Sequence, residues 1–265
     1  MNGLRHYLLA IQFFTRIPVT GQLAQWVGYS PAMLRASAAH FPGVGVLVGA
    51  VVALFTLGLM LALPGGPFAP LVAAALGTVL GVLITGGFHE DGLADVADGL
   101  GGSSERDRAL VIMKDSRVGA FGAMALVLAL LTKVALLALL GSVDAGLMAV
   151  ALFAAHVCSR TWPLLLIRFM LHVGDAAGSK SKPLADQISS ASLGVAGVWF
   201  ASAGALVLWL TPGIAWWTPL LGSGLALLWM GRLFWRRLQG FTGDCLGATQ
   251  QVCELAFYLG LAVSL

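Results

Sequence analysis

Residues 42–63 read PGVGVLVGAVVALFTLGLMLAL, a run without a single charged side chain. A helix needs about 20 apolar residues to cross the hydrocarbon core of a bilayer, and this run is long enough. Pro42 at its start is an ordinary first-turn residue. Stretches of the same kind lie at 69–88, 120–141, 146–170, 193–211, 214–231 and 246–265. The sequence therefore predicts an all-α, polytopic integral membrane helix bundle of about seven transmembrane helices. The segment Leu4 to Ile17 is amphipathic and is expected to lie in the interface. Turn chemistry separates the stretches at Pro64-Gly65-Gly66-Pro67, Gly141-Ser142 and Thr211-Pro212-Gly213.

Composition agrees. The 265 residues are 58% hydrophobic and only 10% charged. A soluble fold of this size has no interior large enough for so much apolar surface, whereas lipid replaces water for a membrane bundle. The 34 glycines suit close helix approach in a bilayer. Three cysteines, Cys158, Cys245 and Cys253, all in apolar stretches, argue against disulfides and against a zinc site. The net charge of +3 carries no nucleic-acid inference. Met1 to Phe14 mixes polar and apolar residues and has no small-residue cleavage site, so no cleavable signal peptide is expected.

The basic residues set the expected orientation. Arg5, Arg16 and Arg35 precede the first stretch; Arg106, Arg108, Lys114 and Arg117 fall between the second and third. Arg168 ends the fourth, Lys180 and Lys182 follow it, and Arg232, Arg236 and Arg237 follow the sixth. The short loops 64–68, 142–145 and 212–213 hold no Lys or Arg. By the positive-inside rule the basic side is cytoplasmic, and seven crossings would leave the C-terminus outside. The long loops 89–118, 172–192 and 232–245 share that side, which marks it as the working face.

On that face the most informative stretch is His89-Glu90-Asp91-Gly92-Leu93-Ala94-Asp95-Val96-Ala97-Asp98-Gly99. Asp91, Asp95 and Asp98 are spaced i, i+4, i+7, which puts three carboxylates on one helical face. Like charges so placed repel unless a cation neutralises them, and hard oxygen ligands without cysteine favour Mg²⁺ or Mn²⁺. The alternative is a solvated helix end whose acids the helix dipole favours. His89 can be a metal ligand, a general base or a structural hydrogen-bonding group. A second constellation is Lys114-Asp115-Ser116-Arg117-Val118-Gly119-Ala120-Phe121-Gly122. Lys114 and Arg117 at i, i+3 suit phosphate oxygens; positive-inside anchoring explains the charges but not Asp115 between them. Lys133 and Arg160 fall inside apolar stretches, so each is expected to face a cavity or a partner, with snorkelling as the alternative. Asp244 is a candidate helix cap or metal ligand, and Asp175 reads as a solvated loop charge.

With these residues assembled, the chain resembles the cobalamin synthase family, the adenosylcobinamide-GDP ribazoletransferases. The resemblance rests on Phe13-Phe14-Thr15-Arg16-Ile17-Pro18, Phe41-Pro42-Gly43-Val44-Gly45, the 89–99 acidic stretch, Met113 to Gly122, Ser159-Arg160 and Gly243-Asp244-Cys245-Leu246-Gly247-Ala248, in order along nearly the whole chain. It implies a single transmembrane catalytic domain over 1–265 in the bacterial inner membrane, with its active face cytoplasmic. It implies a Mg²⁺-dependent transferase that joins α-ribazole, or its 5′-phosphate, to adenosylcobinamide-GDP and releases GMP. Under that reading Asp91, Asp95 and Asp98, with Glu90 or Asp244, hold Mg²⁺. Lys114, Arg117 and Arg160 bind the diphosphate or the leaving GMP, and Arg16, Lys180 and Lys182 are further substrate contacts. His89 or a carboxylate accepts the nucleophile's proton. A homo-oligomer and association with other cobalamin-assembly enzymes are both left open. The Asp-rich motif of the CDP-alcohol phosphotransferases fits poorly, because Asp95 stands where that motif has Ala-Arg. A transporter is the alternative of another class, but no internal repeat supports it.

Overall fold

The computed structural model describes residues 2–174 and 187–265. Asp175, Lys180 and Lys182 therefore lie outside the described residues. Helices α1 (Asn2–Phe14), α2 (Gly21–Val27) and α3 (Pro31–Ser37) lead through a short 3₁₀ turn into α4 (Phe41–Ala62). Then come α5 (Ala69–Thr85), α6 (Phe88–Gly102), α7 (Arg106–Met113), α8 (Ala120–Val143), α9 (Ala145–Thr161) and α10 (Pro163–Phe169). The described chain ends with α11 (Ser190–Leu210), α12 (Trp217–Leu238) and α13 (Gly243–Val263). Among the described residues there is no strand beyond one isolated bridge between His172 and Phe241. The all-α expectation is met, and each expected apolar stretch is helical.

The count of seven crossings is not confirmed. Among the described residues four segments are long and apolar enough to span a membrane: Pro31–Ala62, Ala120–Val143, Ala145–Phe169 and Ser190–Leu210. A fifth arises only if α5 and α6, bent by 90° to each other, are counted as one. The reason lies in burial. Helix α13 packs against α6, α8, α9, α10 and α12, so lipid reaches little of it. It buries Gln250, Gln251 and Glu254, polar residues that lower its hydropathy without meeting hydrocarbon. In α12 the three arginines near the C-terminal end have the same effect. The outside placement of the C-terminus rests on the count of seven and is likewise not confirmed.

The outer helices face the other way. Leu54, Leu61, Leu83, Leu128, Leu131, Val198 and Trp209 are exposed around the bundle. So much apolar surface is stable only against lipid or another apolar partner. The three cysteines are free and buried.

Several basic loops meet at one end. Arg106 Nε donates to Leu238 O at 2.7 Å, and Arg237 donates to Leu100 O at 3.1 Å and Ser103 O at 2.6 Å. Val173 N and Phe241 N donate to Phe241 O and Leu171 O, both at 2.9 Å. The segments around 100–106, 171–173 and 237–241 are thereby gathered on one end of the bundle, as the charge pattern anticipates.

Candidate active site

Helix α6 owes its direction to two glycines. Gly86 and Gly87 have φ of +69° and +70°, a conformation L side chains rarely adopt, and both amides close on Val82 O at the end of α5. The chain leaves α5 at a right angle. Arg16 straps this corner: its amide donates to Ile84 O at 2.6 Å, and its side chain lies against the Cα of Gly86. Helix α6 then packs closely on α13. A Cβ on Gly92 would sit 2.8 Å from Asp244 O, and one on Gly247 would sit 3.2 Å from His89 O. Only glycine allows this approach, which sets Asp91 and Asp95 beside Asp244.

The aspartates share a face but not a fate. Asp91 is exposed, Asp95 half-buried and Asp98 buried. Asp98 reaches the start of α8, where one carboxylate oxygen accepts from Gly119 N at 2.7 Å and the other from Gly122 N at 2.8 Å. It is a helix clamp, held by orphan amides and the positive helix end. Each Asp98 oxygen thus meets an amide of α8, while its charge still reaches Asp95.

Helix α6 carries four acids, stands at right angles to α5 and lies outside the four spanning segments. Burial, then the charges of Asp244, Asp91 and Asp98, pushes Asp95 up to about 7. Burial likewise pushes Asp244 above the ordinary carboxylate range, with Asp91 adding to it. Asp244 is not the cap of α13; Thr242 is, accepting from Cys245 N at 3.4 Å and donating to Asp244 Oδ2 at 3.2 Å.

The clamp brings the basic loop alongside. Arg117 lies two residues before Gly119 and grips Asp115 through Nε, at 2.9 and 3.2 Å, and Nη2, at 2.5 Å. The guanidinium holds the Asp115 carboxyl down at about 2. Asp115 is thus explained: it orients the fork. Arg117 is 86% exposed and Lys114, which closes α7, is exposed too, so both cations are presented outward beside α6.

Deeper in, Phe13, Phe14, Phe41 and Phe88 surround a cavity of about 40 Å³ into which His89 and Arg160 also point. His89 is buried and stacks on Phe14, facing the aromatic cavity. Arg160 is 4% exposed; its Nη1 donates to His156 Nδ1 at 2.8 Å and His156 O at 3.1 Å, while its Nε has no partner. Lys133 has the partner that its place in an apolar helix demands. It pairs with Glu254 at 2.7 Å, both side chains buried.

Glu254, Gln250, Gln251 and His156 were not singled out from the sequence. The signal was there: Glu254 is the sole acid inside any of the seven apolar stretches. An isolated Lys in one such stretch asks for it.

Among the described residues no three His, Cys, Asp or Glu side chains close around a point as a ready-made metal cage. The donor set still suits Mg²⁺, which is commonly held by one or two carboxylates together with substrate phosphates. Asp91, Asp95 and Asp244 supply oxygens that repel one another, and Glu90 Oε2 is buried without a partner.

The sequence pattern of the family described as "Cobalamin-5-phosphate synthase" matches residues 6–262. A curated protein of Albidiferax ferrireducens, named adenosylcobinamide-GDP ribazoletransferase, is 68% identical, covering 99% of both chains. One of Polaromonas sp. with the same name is 64% identical over 99% of this chain and 98% of its own. A third, of Leptothrix cholodnii, is 46% identical over 98% and 96%. No solved structure matches.

Proposed function

We propose that this chain, which belongs to the cobalamin-5-phosphate synthase family, joins α-ribazole or its 5′-phosphate to adenosylcobinamide-GDP and releases GMP. A ribazole hydroxyl attacks the phosphorus attached to the cobinamide. The bond from that phosphorus to the bridging oxygen breaks, and GMP carries the bridging oxygen away. The product is adenosylcobalamin or its 5′-phosphate. The site works at the cytoplasmic face of the bacterial inner membrane, where the basic loops gather.

One observation carries the reading: Asp98 ties the Lys114–Arg117 loop to the acidic helix, so phosphate-binding cations and cation-binding carboxylates stand side by side. Arg117, pre-oriented by Asp115, offers a planar fork to phosphate oxygens, and Lys114 a point charge. Arg160 places a further guanidinium in the cavity behind α6. Asp91 and Asp95, with Asp244 beside them, would hold Mg²⁺. When bound, the ion supplies neutralisation of phosphate charge and stabilisation of the leaving group. His89 or a carboxylate of α6 accepts the hydroxyl proton. The aromatic wall of Phe13, Phe14 and Phe88 keeps water from the deep end of the site.

The test is GMP release by purified protein in detergent, from adenosylcobinamide-GDP and α-ribazole, with Mg²⁺ present and then chelated. Release that needs both substrates and the ion supports the reading. No release under any of these conditions, or solute flux in vesicles without turnover, overturns it.

A further inference from the structure

We infer that the buried Lys133–Glu254 pair is a positioning device for the active site, aiming Glu90 on α6 through a one-way chain of hydrogen bonds. This deepens the proposed function and rests on it. The chain crosses three helices. Glu254 Oε1 faces Lys133 Nζ at 2.7 Å and also accepts from Tyr258 OH at 2.9 Å. Glu254 Oε2 accepts from Gln250 Nε2 at 2.7 Å, and the same amide nitrogen donates to Ser159 Oγ at 2.9 Å. Gln250 Oε1 accepts from Gln251 Nε2 at 2.9 Å, and Gln251 Nε2 also donates to Glu90 Oε1 at 3.0 Å.

The direction of the chain follows from what each group is able to do. Beside an ammonium, Glu254 is a carboxylate and only accepts. Gln250 must therefore turn its NH₂ to Glu254, which leaves its carbonyl facing Gln251. Gln251 must then turn its NH₂ that way, and the second hydrogen of that NH₂ points at Glu90. A reversed amide anywhere along the line sets donor against donor or leaves a buried group unpaired. The charge of Lys133 thus decides, four groups away, that Glu90 meets a donor. Glu90 Oε2 is left as a buried acceptor with no partner, and the charge of Glu90 reaches Arg160.

A stabilising role alone does not account for the arrangement. Buried ion pairs are often replaced by well-packed apolar residues at no loss of stability. Two cations, Lys133 and Arg160, are balanced by two anions, Glu254 and Glu90, in one connected interior. The balance runs straight to the acidic helix.

The experiment compares kcat and KM for GMP release with thermal unfolding in detergent. Gln251→Leu cuts the link to Glu90; kcat is expected to fall by about ten- to a hundredfold, as for other partners that orient a site residue, with KM nearly unchanged. In a Glu90→Gln background the same change should cost little more, because the chain acts through Glu90. The exchange Lys133→Glu with Glu254→Lys keeps a pair but reverses the chain, since Lys only donates; the folded variant should lose turnover like Gln251→Leu. Wild-type kcat in Gln251→Leu overturns the inference, as does wild-type kcat in the exchanged pair. So do losses that multiply in full when Gln251→Leu is combined with Glu90→Gln. A wild type that releases no GMP refutes the proposed reaction itself, and this inference with it.

Discussion

Asp98 is the sharpest place to separate a clamp from a ligand. Asp98→Ala removes the acceptors of two amides, Gly119 N at 2.7 Å and Gly122 N at 2.8 Å, from a site only 8% exposed. A hydrogen bond to a charged group contributes about 1.5–3 kcal/mol, and negative charge at a helix start adds about 0.3–1 kcal/mol. The two bonds share one carboxylate and one helix end, so they do not add in full; the expected loss is about 3 kcal/mol. Asp98→Asn keeps one acceptor and turns an NH₂ toward a backbone N–H, so it should fall between the alanine variant and the wild type. The assay is thermal and denaturant unfolding in detergent, beside GMP release over a range of Mg²⁺. Stability should drop while the half-saturating Mg²⁺ concentration stays in place. The KM for adenosylcobinamide-GDP should rise as the Arg117 loop loses its tether. Unfolding within about 0.5 kcal/mol of the wild type, the range of an ordinary surface change, would show that the clamp holds nothing. Unchanged stability with a displaced Mg²⁺ response would make Asp98 a metal ligand after all.

Asp91→Asn and Asp95→Asn should each cut GMP release by at least about a hundredfold in well-folded protein and raise the Mg²⁺ needed; near-normal turnover removes them from the site. Arg117→Lys loses the planar fork that grips Asp115, and should raise the KM for the GDP-bearing substrate without moving the unfolding temperature; equal KM values would leave Arg117 no role in binding. Gly92→Ala drives a methyl to 2.8 Å from Asp244 O and should destabilise by about 1–3 kcal/mol, measured by unfolding, while prising Asp244 from Asp95. Asp95 also gives a pH signature in Mg²⁺-free protein. Its folded pKa of about 7 lies above the usual 3.8, so its contribution to stability is complete below pH 3.8 and is lost as pH rises through about 7. Asp95→Asn should therefore be the more stable protein at pH 8 relative to wild type than at pH 4; a difference independent of pH refutes the raised carboxylate.

Helix positions were legible because they depend on local facts, the length of an apolar run and the turn residues that end it. Whether a helix crosses the bilayer was less so. Hydropathy assumes that each face of a helix meets solvent or lipid, and α13 meets neither over most of its surface. Gln250, Gln251 and Glu254 make it look less like a span than its place at the centre of the bundle warrants. Pro163, at the break between α9 and α10, interrupts one apolar stretch in the way a missing amide donor should. The right angle between α5 and α6 was implicit in Gly86-Gly87, but a glycine pair fixes no direction until the Arg16 strap and the α13 contact choose one.

At the candidate site, spacing brought the three aspartates into view and could not sort them. The interval i, i+4, i+7 puts Asp91, Asp95 and Asp98 on one face whether they bind an ion or each meet a different neighbour. What distinguishes them lies across the gap: open space for Asp91, another carboxylate for Asp95, two backbone amides for Asp98. Those amides come from residues 21 and 24 positions later, beyond the reach of any helical period. Lys133 and Glu254 lie farther apart still, yet that pair could be matched from the sequence, because a charge in an apolar helix has few affordable partners. A long-range contact between charges is thus easier to infer than one between a carboxylate and a glycine amide, which every residue but proline could supply. The clamp is also what joins the candidate site, since without it the basic loop and the acidic helix are merely consecutive in the chain.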